Sequence, residues 1–486
     1  DPRDATGAET DDSALANGPE VDDSDANPLA ASEMVDAKDS ASPDQQLDGP
    51  PRQERRETDP AVGADPAVGA SPTVMIDPAT DARPPASQLN EARRQTADVE
   101  PPAPWDGPPR GIRRAARDGT ELVDALAGRS SVFGFGFEPV IEAIQRAARQ
   151  YLGDAAELID HPGDGEDLIL RQLQELLGDS PPIVPDSLYL TSSAEMAVET
   201  AIELARKRNP DLSYRVVTVV GSDHGRSGVC RIASGRPELH EGYGPMMAGF
   251  AHVPVGDVDA LTAAVDEQTC AVMLSPIDLG DAARPVAADY LLAVRELSDS
   301  RDLVLIIDES RIGFAASGSP LTFAAIAEVH ADAVILGGGL FGGLPGGAVV
   351  ASERLTASTV LDTDRCPLLT AAASATLRQV NQQRLLASAP STSDSFVAEL
   401  AELVGGFEFV RDLHQLGMTV GIVLDVGAAE LVAAAATRGL RLEAAGETAV
   451  RKQLPLLLSD EDRDLLLDRL RQSMEAIELA AAETSV

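Results

Sequence analysis

Leu303-Val-Leu-Ile-Ile-Asp308-Glu309 is a short, almost continuous aliphatic run that ends in two carboxylates. A run of that length and texture reads as a strand covered on both faces, because a half-exposed strand would alternate apolar with polar residues. Similar runs recur at 188–190, 215–220, 271–274, 333–336 and 348–350. Stretches with helical spacing of apolar residues stand at 140–151, 167–177 and 196–206. Strands of this kind alternating with helices predict an α/β domain built on a mainly parallel sheet. After about residue 371 a long helical stretch leads to a strand-like run at 418–424, a helix at 430–438, a further segment at 451–458 and a closing helix from 460. That order predicts a smaller α+β domain.

The 486 residues suffice for two or three domains with a large buried core. With 39 basic and 79 acidic residues the net charge is −40, which repels phosphate backbones and anionic lipid heads. Nucleic acid and membrane are therefore excluded as expected partners. No apolar run approaches the ~20 residues of a membrane span. Cys230, Cys270 and Cys366 lie far apart without metal-site spacing, as buried thiols of a reducing compartment do, and a cytoplasmic location is expected. The chain begins at Asp1 rather than Met, which is compatible with removal of an upstream segment.

The first hundred residues differ in kind. They hold 23 acids against 8 bases, more than half of the prolines fall before residue 110, and Asp59-Pro-Ala-Val-Gly-Ala64 repeats as Asp65-Pro-Ala-Val-Gly-Ala70. So few apolar side chains cannot offset an ordering cost of ~1–2 kcal/mol per residue. The expected organisation is a disordered acidic tail over 1–110, either a solvated spacer or a binding arm, and a segment over 111–165 that packs on both domains. The large α/β domain then covers 166–375 and the small α+β domain 376–486.

Several strings carry a family resemblance. They are Gly221-Ser-Asp-His-Gly-Arg226, Gly242-Tyr-Gly-Pro245, His252-Val-Pro254, Thr269-Cys-Ala-Val-Met-Leu-Ser-Pro-Ile277 and Leu305-Ile-Ile-Asp-Glu309. Ala331-Asp-Ala-Val-Ile-Leu-Gly-Gly-Gly-Leu-Phe-Gly-Gly-Leu-Pro345 and Val450-Arg-Lys-Gln-Leu-Pro-Leu456 complete the set. In this order and with these gaps, the chain from about residue 115 onward resembles the class III pyridoxal-phosphate (PLP) aminotransferases, in particular acetylornithine and ornithine aminotransferases. The resemblance implies a fold-type-I transferase, a homodimer with active sites near the subunit interface, and PLP at the edge of the large domain. Such chemistry needs a lysine for the Schiff base, an acid on the pyridine nitrogen, a helix N-terminus for the phosphate and arginines for substrate carboxylates.

By that resemblance Asp308 matches the pyridine partner, the alternative being an ordinary strand-end carboxylate. Arg226 and Arg451 match the substrate-binding arginines, or are surface and interface arginines. The lysine position holds Gly338, and the chain's only lysines are Lys38, Lys207 and Lys452. The phosphate-binding stretch corresponds to Ala194-Glu-Met-Ala-Val-Glu199, which puts Glu195 where a hydroxyl would meet a dianion. Ser192-x-x-Glu195 reads as a capping box that satisfies the helix end internally. Asp223 matches the ring-stacking aromatic, Ser310 the aliphatic residue beneath the ring, and Ser275-Pro-Ile-Asp278 the family's Glu-Pro-Ile-Gln. A threonine that reaches the neighbouring subunit's phosphate falls near Asp362, and His224 is a packing or hydrogen-bonding residue.

The expectation is therefore a pseudoenzyme, with PLP lost or held weakly and without a covalent bond, serving as a scaffold or regulatory partner of itself or of an active paralogue. The alternative keeps PLP as a ligand, with residual or altered transaminase-like chemistry. A third reading, from Gly337-x-Gly339-x-x-Gly342, is a dinucleotide fingerprint. It is disfavoured because Pro345 and further glycines lead straight into another strand instead of a helix.

Overall fold

The computed structural model describes residues 107–115, 118–151, 164–208, 213–242, 244, 246–357, 361 and 366–484. The acidic tail and Asp362 lie outside them. All described residues belong to one compact unit, Asp77–Val486.

Seven strands form the large sheet: β1 (Ser187–Thr191), β2 (Arg215–Val219), β3 (Phe250–Val253), β4 (Thr269–Leu274), β5 (Val304–Glu309), β6 (Ala333–Leu336) and β7 (Gly347–Ala351). Their order is β1-β7-β6-β5-β4-β2-β3. Neighbours pair in parallel from β6 across to β3, and only β7 runs against the rest. Every residue of β4, β5, β6 and β7 is buried, as their unbroken aliphatic texture requires. Alternate side chains feed two cores. Val217, Val272, Leu305, Ile307 and Val334 face one, and Val216, Met273, Ile306, Ile335 and Val349 face the other. Helix α1 (Ala194–Arg208) covers the second face with Ala197, Val198, Ala201, Ile202 and Ala205.

Strand β3 carries no continuous aliphatic run and is missing from the sequence reading. As an edge strand it is only half-buried, with Phe250, Ala251 and His252 partly exposed. The glycine-rich stretch after β6 is a short 3-10 turn, Gly338–Phe341, which leads through residues 342–346 into β7. It does not open the α-helix that a dinucleotide site requires.

A second, four-stranded sheet comprises β8 (Val410–Leu416), β9 (Thr419–Leu424), β10 (Glu443–Ala444) and β11 (Ala449–Gln453), in the order β8-β9-β11-β10. Helix α2 (Leu385–Val404) and the closing helix α3 (Asp460–Thr484) pack with it through Phe396, Leu400, Leu466 and Leu470. Its other face abuts the loop after β4. Gly421 of β9 lies so close to that loop that a Cβ there would stand 1.5 Å from the carbonyl oxygen of Ala282.

Among the described residues no helix is long and apolar enough to cross a membrane, and no group of metal-ligating side chains is present.

Candidate functional site

In a largely parallel sheet the strands' carboxyl ends leave a crevice where loops diverge, and ligands bind there in proteins of this architecture. The residues singled out from the sequence converge on that edge. Asp308 is the penultimate residue of β5, and through the β5–β6 pairing it stands in register with Ile335. Gly338 follows two residues after the end of β6. Residues 221–227 follow β2, and the start of α1 follows β1.

Asp308 is buried. Its Oδ2 lies 2.5 Å from Nδ1 of His224, and its Oδ1 accepts the backbone N–H of Ser310 at 2.8 Å. Among the described residues, Nε2 of His224 and Oγ of Ser310 meet no hydrogen-bond partner. His224 thus pairs with Asp308 and ties the loop after β2 to the end of β5.

Glu309 points the other way. Its two oxygens accept the backbone N–H groups of Thr322 and Phe323 at 2.8 and 2.9 Å. Burial pushes its carboxyl up to about 7, although those two bonds pull it down. Because the folded value is raised, the stability this group contributes is complete below the ordinary glutamate range. It is lost as the pH rises through about 7.

The helix start corrects one expectation. Helix α1 begins at Ala194, so Ser193 is its cap, and Ser193 Oγ accepts the N–H of Met196 at 3.2 Å. Ser192 and Glu195 therefore form no capping box. The register is displaced by one residue, and the residue three beyond the cap is Met196, which cannot reciprocate. Glu195 instead lies in the first turn with its side chain against Gly225, where an added Cβ would be 2.7 Å from Glu195 Cγ.

Asp223 is partly exposed, and its Oδ1 accepts from the Gly225 N–H at 3.2 Å and from Nη2 of Arg311 at 3.3 Å. Burial would raise its carboxyl, but Arg311, Arg236 and His224 outweigh that and hold it below the usual carboxylate range. Arg311 gained no role from the sequence. It stands three residues after Asp308, and that proximity to the recognised acid was the one available signal.

The two candidate substrate arginines part company. Arg226 is exposed, and among the described residues its backbone carbonyl accepts from the Arg231 side chain. Arg451, on β11, is engaged throughout: Nε and Nη2 reach Glu443 Oε2 at 3.0 and 2.8 Å, and Nη1 donates to the Leu279 carbonyl at 2.7 Å. These bonds join the small sheet to the loop after β4. Glu443 also lies 3.6 Å from Arg129. Burial, with Arg451 and Arg311 nearby, holds Arg129 below the ordinary arginine value against the pull of Glu443.

Neither described lysine reaches this edge. Lys207 pairs with Glu203 at the far end of α1. Lys452 is fully buried, and its Nζ lies 5.7 Å from the ring centre of Phe396. Alternation along β11 turns it to the face opposite Arg451.

The glycines around position 338 are confined. A Cβ at Gly337 would stand 2.0 Å from the Ser310 carbonyl oxygen, and one at Gly339 would stand 2.6 Å from the Phe314 nitrogen. At Gly338 the nearest atom would be the Leu344 carbonyl oxygen at 3.1 Å. A side chain fits at 338 with a small adjustment and at neither neighbour.

The sequence profile of the aminotransferase class-III family matches residues 109–474. The acetylornithine aminotransferase of Caldanaerobacter subterraneus subsp. tengcongensis is 31% identical over 299 residues, 60% of this chain and 76% of that protein. The acetylornithine aminotransferase of Agrobacterium fabrum is 28% identical over 384 residues, 76% of this chain and 92% of that protein. The solved ornithine aminotransferase from Toxoplasma gondii ME49 superposes with a TM-score of 0.69 at 24% identity, covering 81% of this chain and 96% of that one. At that identity the structural likeness speaks for the fold alone. The profile match spans both sheets and every element that meets at the crevice, and the chain is a member of the class III aminotransferase family.

Proposed function

We propose that this chain is a pseudoenzyme of the family, a scaffold or regulatory protein that uses the aminotransferase fold without transamination. The observation that carries the reading is Gly338, at the turn after β6 where the resemblance calls for a Schiff-base lysine. A glycine has no nucleophile to offer, and the two described lysines lie elsewhere, one of them buried on the wrong face of β11.

The residues present do not fit PLP. Glu195 puts a carboxylate in the first turn of α1, where a phosphate would otherwise meet unpaired N–H groups. Two unit charges ~4 Å apart repel by ~4 kcal/mol at an effective dielectric near 20. Asp223 offers no ring face, and its oxygen is already bonded to Arg311. On this reading the protein works in the cytoplasm as a homodimer or as the partner of an active paralogue.

The alternative, a protein that holds PLP without a covalent bond and retains altered chemistry, is favoured by one observation. Asp308 is buried and positioned by His224, as a pyridine partner would be.

Titration of the purified protein with PLP, followed by borohydride and mass analysis, separates the readings. We expect no imine absorbance band and no adduct. A stoichiometric adduct on a lysine with turnover sinks the pseudoenzyme, and saturable binding without an adduct favours the ligand-holding alternative. Gly338→Lys is a second check, since its Cβ needs only a small shift of Leu344. We expect this variant to fold and still to form no imine, because the charges at 195, 223 and 311 remain. Imine formation by it would show that the missing amine alone closed the site.

A further inference from the structure

We propose that Arg311 is an internal latch for the crevice: its guanidinium, bonded to Asp223, holds together the start of α1, the loop after β2 and the end of β5, so that these segments are ordered without a ligand. The inference deepens the proposed function and rests on it, since it gives to a side chain the ordering role that a tightly bound ligand plays by mass action.

Three acids from three separate elements lie within electrostatic reach of this one cation, and one of them touches it. Asp223 belongs to the loop after β2 and bonds Arg311 directly at 3.3 Å. Its Oδ1 also accepts the Gly225 N–H, and Gly225 is pressed against the Glu195 side chain of α1. Asp308 of β5 is joined to the same loop through His224 at 2.5 Å. Left alone, Glu195, Asp223 and Asp308 would repel one another, and that repulsion acts against the few backbone bonds that tie these loops down, such as Gly221 N–H to the Ser234 carbonyl.

Arg311 answers that repulsion from within the chain. Burial opposes its charge, yet Asp223, Glu195 and Asp308 together keep it more firmly protonated than an ordinary arginine. The other titratable or charged groups that face the cluster are Arg236 and His224 toward Asp223, and Arg129, which repels Arg311. Arg311 thus supplies the cluster's central positive charge, with Nε still unpartnered among the described residues.

The test is a thermal-unfolding cycle on the full chain with Arg311→Ala, Asp223→Asn and the double variant. Each 1 kcal/mol shifts the midpoint by about 2–4 °C in a domain of ~150–250 residues, and a smaller shift is expected in this longer chain. We expect each single change to lower the midpoint by on the order of one degree, since the pair is partly exposed. Adding Asp223→Asn to the Arg311→Ala protein should cost nothing further, because the partner is already gone.

Millimolar guanidinium should raise the midpoint of the Arg311→Ala protein above that in sodium at equal ionic strength, and should leave the double variant unmoved. The gap between wild type and Arg311→Ala should also close at low pH. Asp223's carboxyl lies below the usual range, so its contribution is present above the ordinary aspartate value and lost as the pH falls through the folded one.

Additive losses, an equal response to sodium, or a gap that persists at low pH would overturn the latch. If Arg311→Ala does not fold, Asp223→Asn alone decides, because an unchanged midpoint contradicts the proposal. Covalent PLP in the wild type would sink the proposed function, whereas failure of the cycle sinks only the latch.

Discussion

Replacing Lys452 with methionine should stabilise the protein by several kcal/mol near neutral pH. Lys452 is fully buried on β11, its Nζ has no hydrogen-bond partner among the described residues, and it lies 5.7 Å from the ring centre of Phe396. Burial alone lowers its pKa from 10.5 to about 7. In the unfolded chain the amine regains its ordinary affinity for a proton, so between these two values the unfolded state binds more protons than the folded one. Wild-type stability must therefore rise with pH across that window. The penalty is complete below about 7 and gone above 10.5, and at ~1.4 kcal/mol per tenfold it amounts to roughly 5 kcal/mol. Methionine nearly conserves the volume and titrates nothing. Urea midpoints at acid, neutral and strongly alkaline pH should show a large advantage for Lys452→Met that shrinks toward alkalinity. An advantage that does not change with pH would mean that the amine is not buried neutral.

Gly421→Ala should do the opposite, costing more than ~3 kcal/mol or preventing folding altogether. Overpacking a core typically costs about 1–3 kcal/mol when side chains can yield. Here the obstacle is backbone: the new methyl would lie 1.5 Å from the Ala282 oxygen and 2.3 Å from its carbonyl carbon. Ala282 and Ala283 already hold left-handed conformations, with φ of 50° and 52°, so the loop has little room to retreat. The same loop carries the Leu279 carbonyl that receives Arg451, and the substitution should loosen that bond too. Denaturant unfolding measures the loss. A variant within ~1 kcal/mol of wild type would show that the sheet and the loop can part at little cost.

Much of the large sheet was legible in the sequence because burial on both faces leaves an unmistakable aliphatic run. The strands expected at 271–274, 303–307 and 333–336 correspond to β4, β5 and β6 within a few residues. Strand β8 was not legible. Val410-Arg-Asp-Leu-His-Gln-Leu416 mixes charges with apolar residues because it is an edge strand, with Arg411 and Asp412 exposed. In the crevice, Asp308 and Gly338 could be located because they sit beside strands whose texture anchors the count. The charge network could not be read. Arg311, Glu443 and Arg129 meet their partners across long stretches of chain, and no local pattern encodes such meetings. The cap was misread by one residue because Ser192 and Ser193 are adjacent and chemically alike, so only the observed first turn distinguishes them.

Strand β7 has a further consequence. It enters the sheet through Gly347, whose missing side chain leaves room for the Ser193 carbonyl oxygen, Thr191 Oγ1 and the Ala197 methyl group, all of which would lie within 2.8 Å of a Cβ. The turn that contains Gly338 is thereby clamped, through a few residues of backbone, to the first turn of α1. Neither part can travel without dragging the other, which makes that corner of the crevice behave as a single casting rather than two hinged jaws. A molecule settling there would have to match a mould already set.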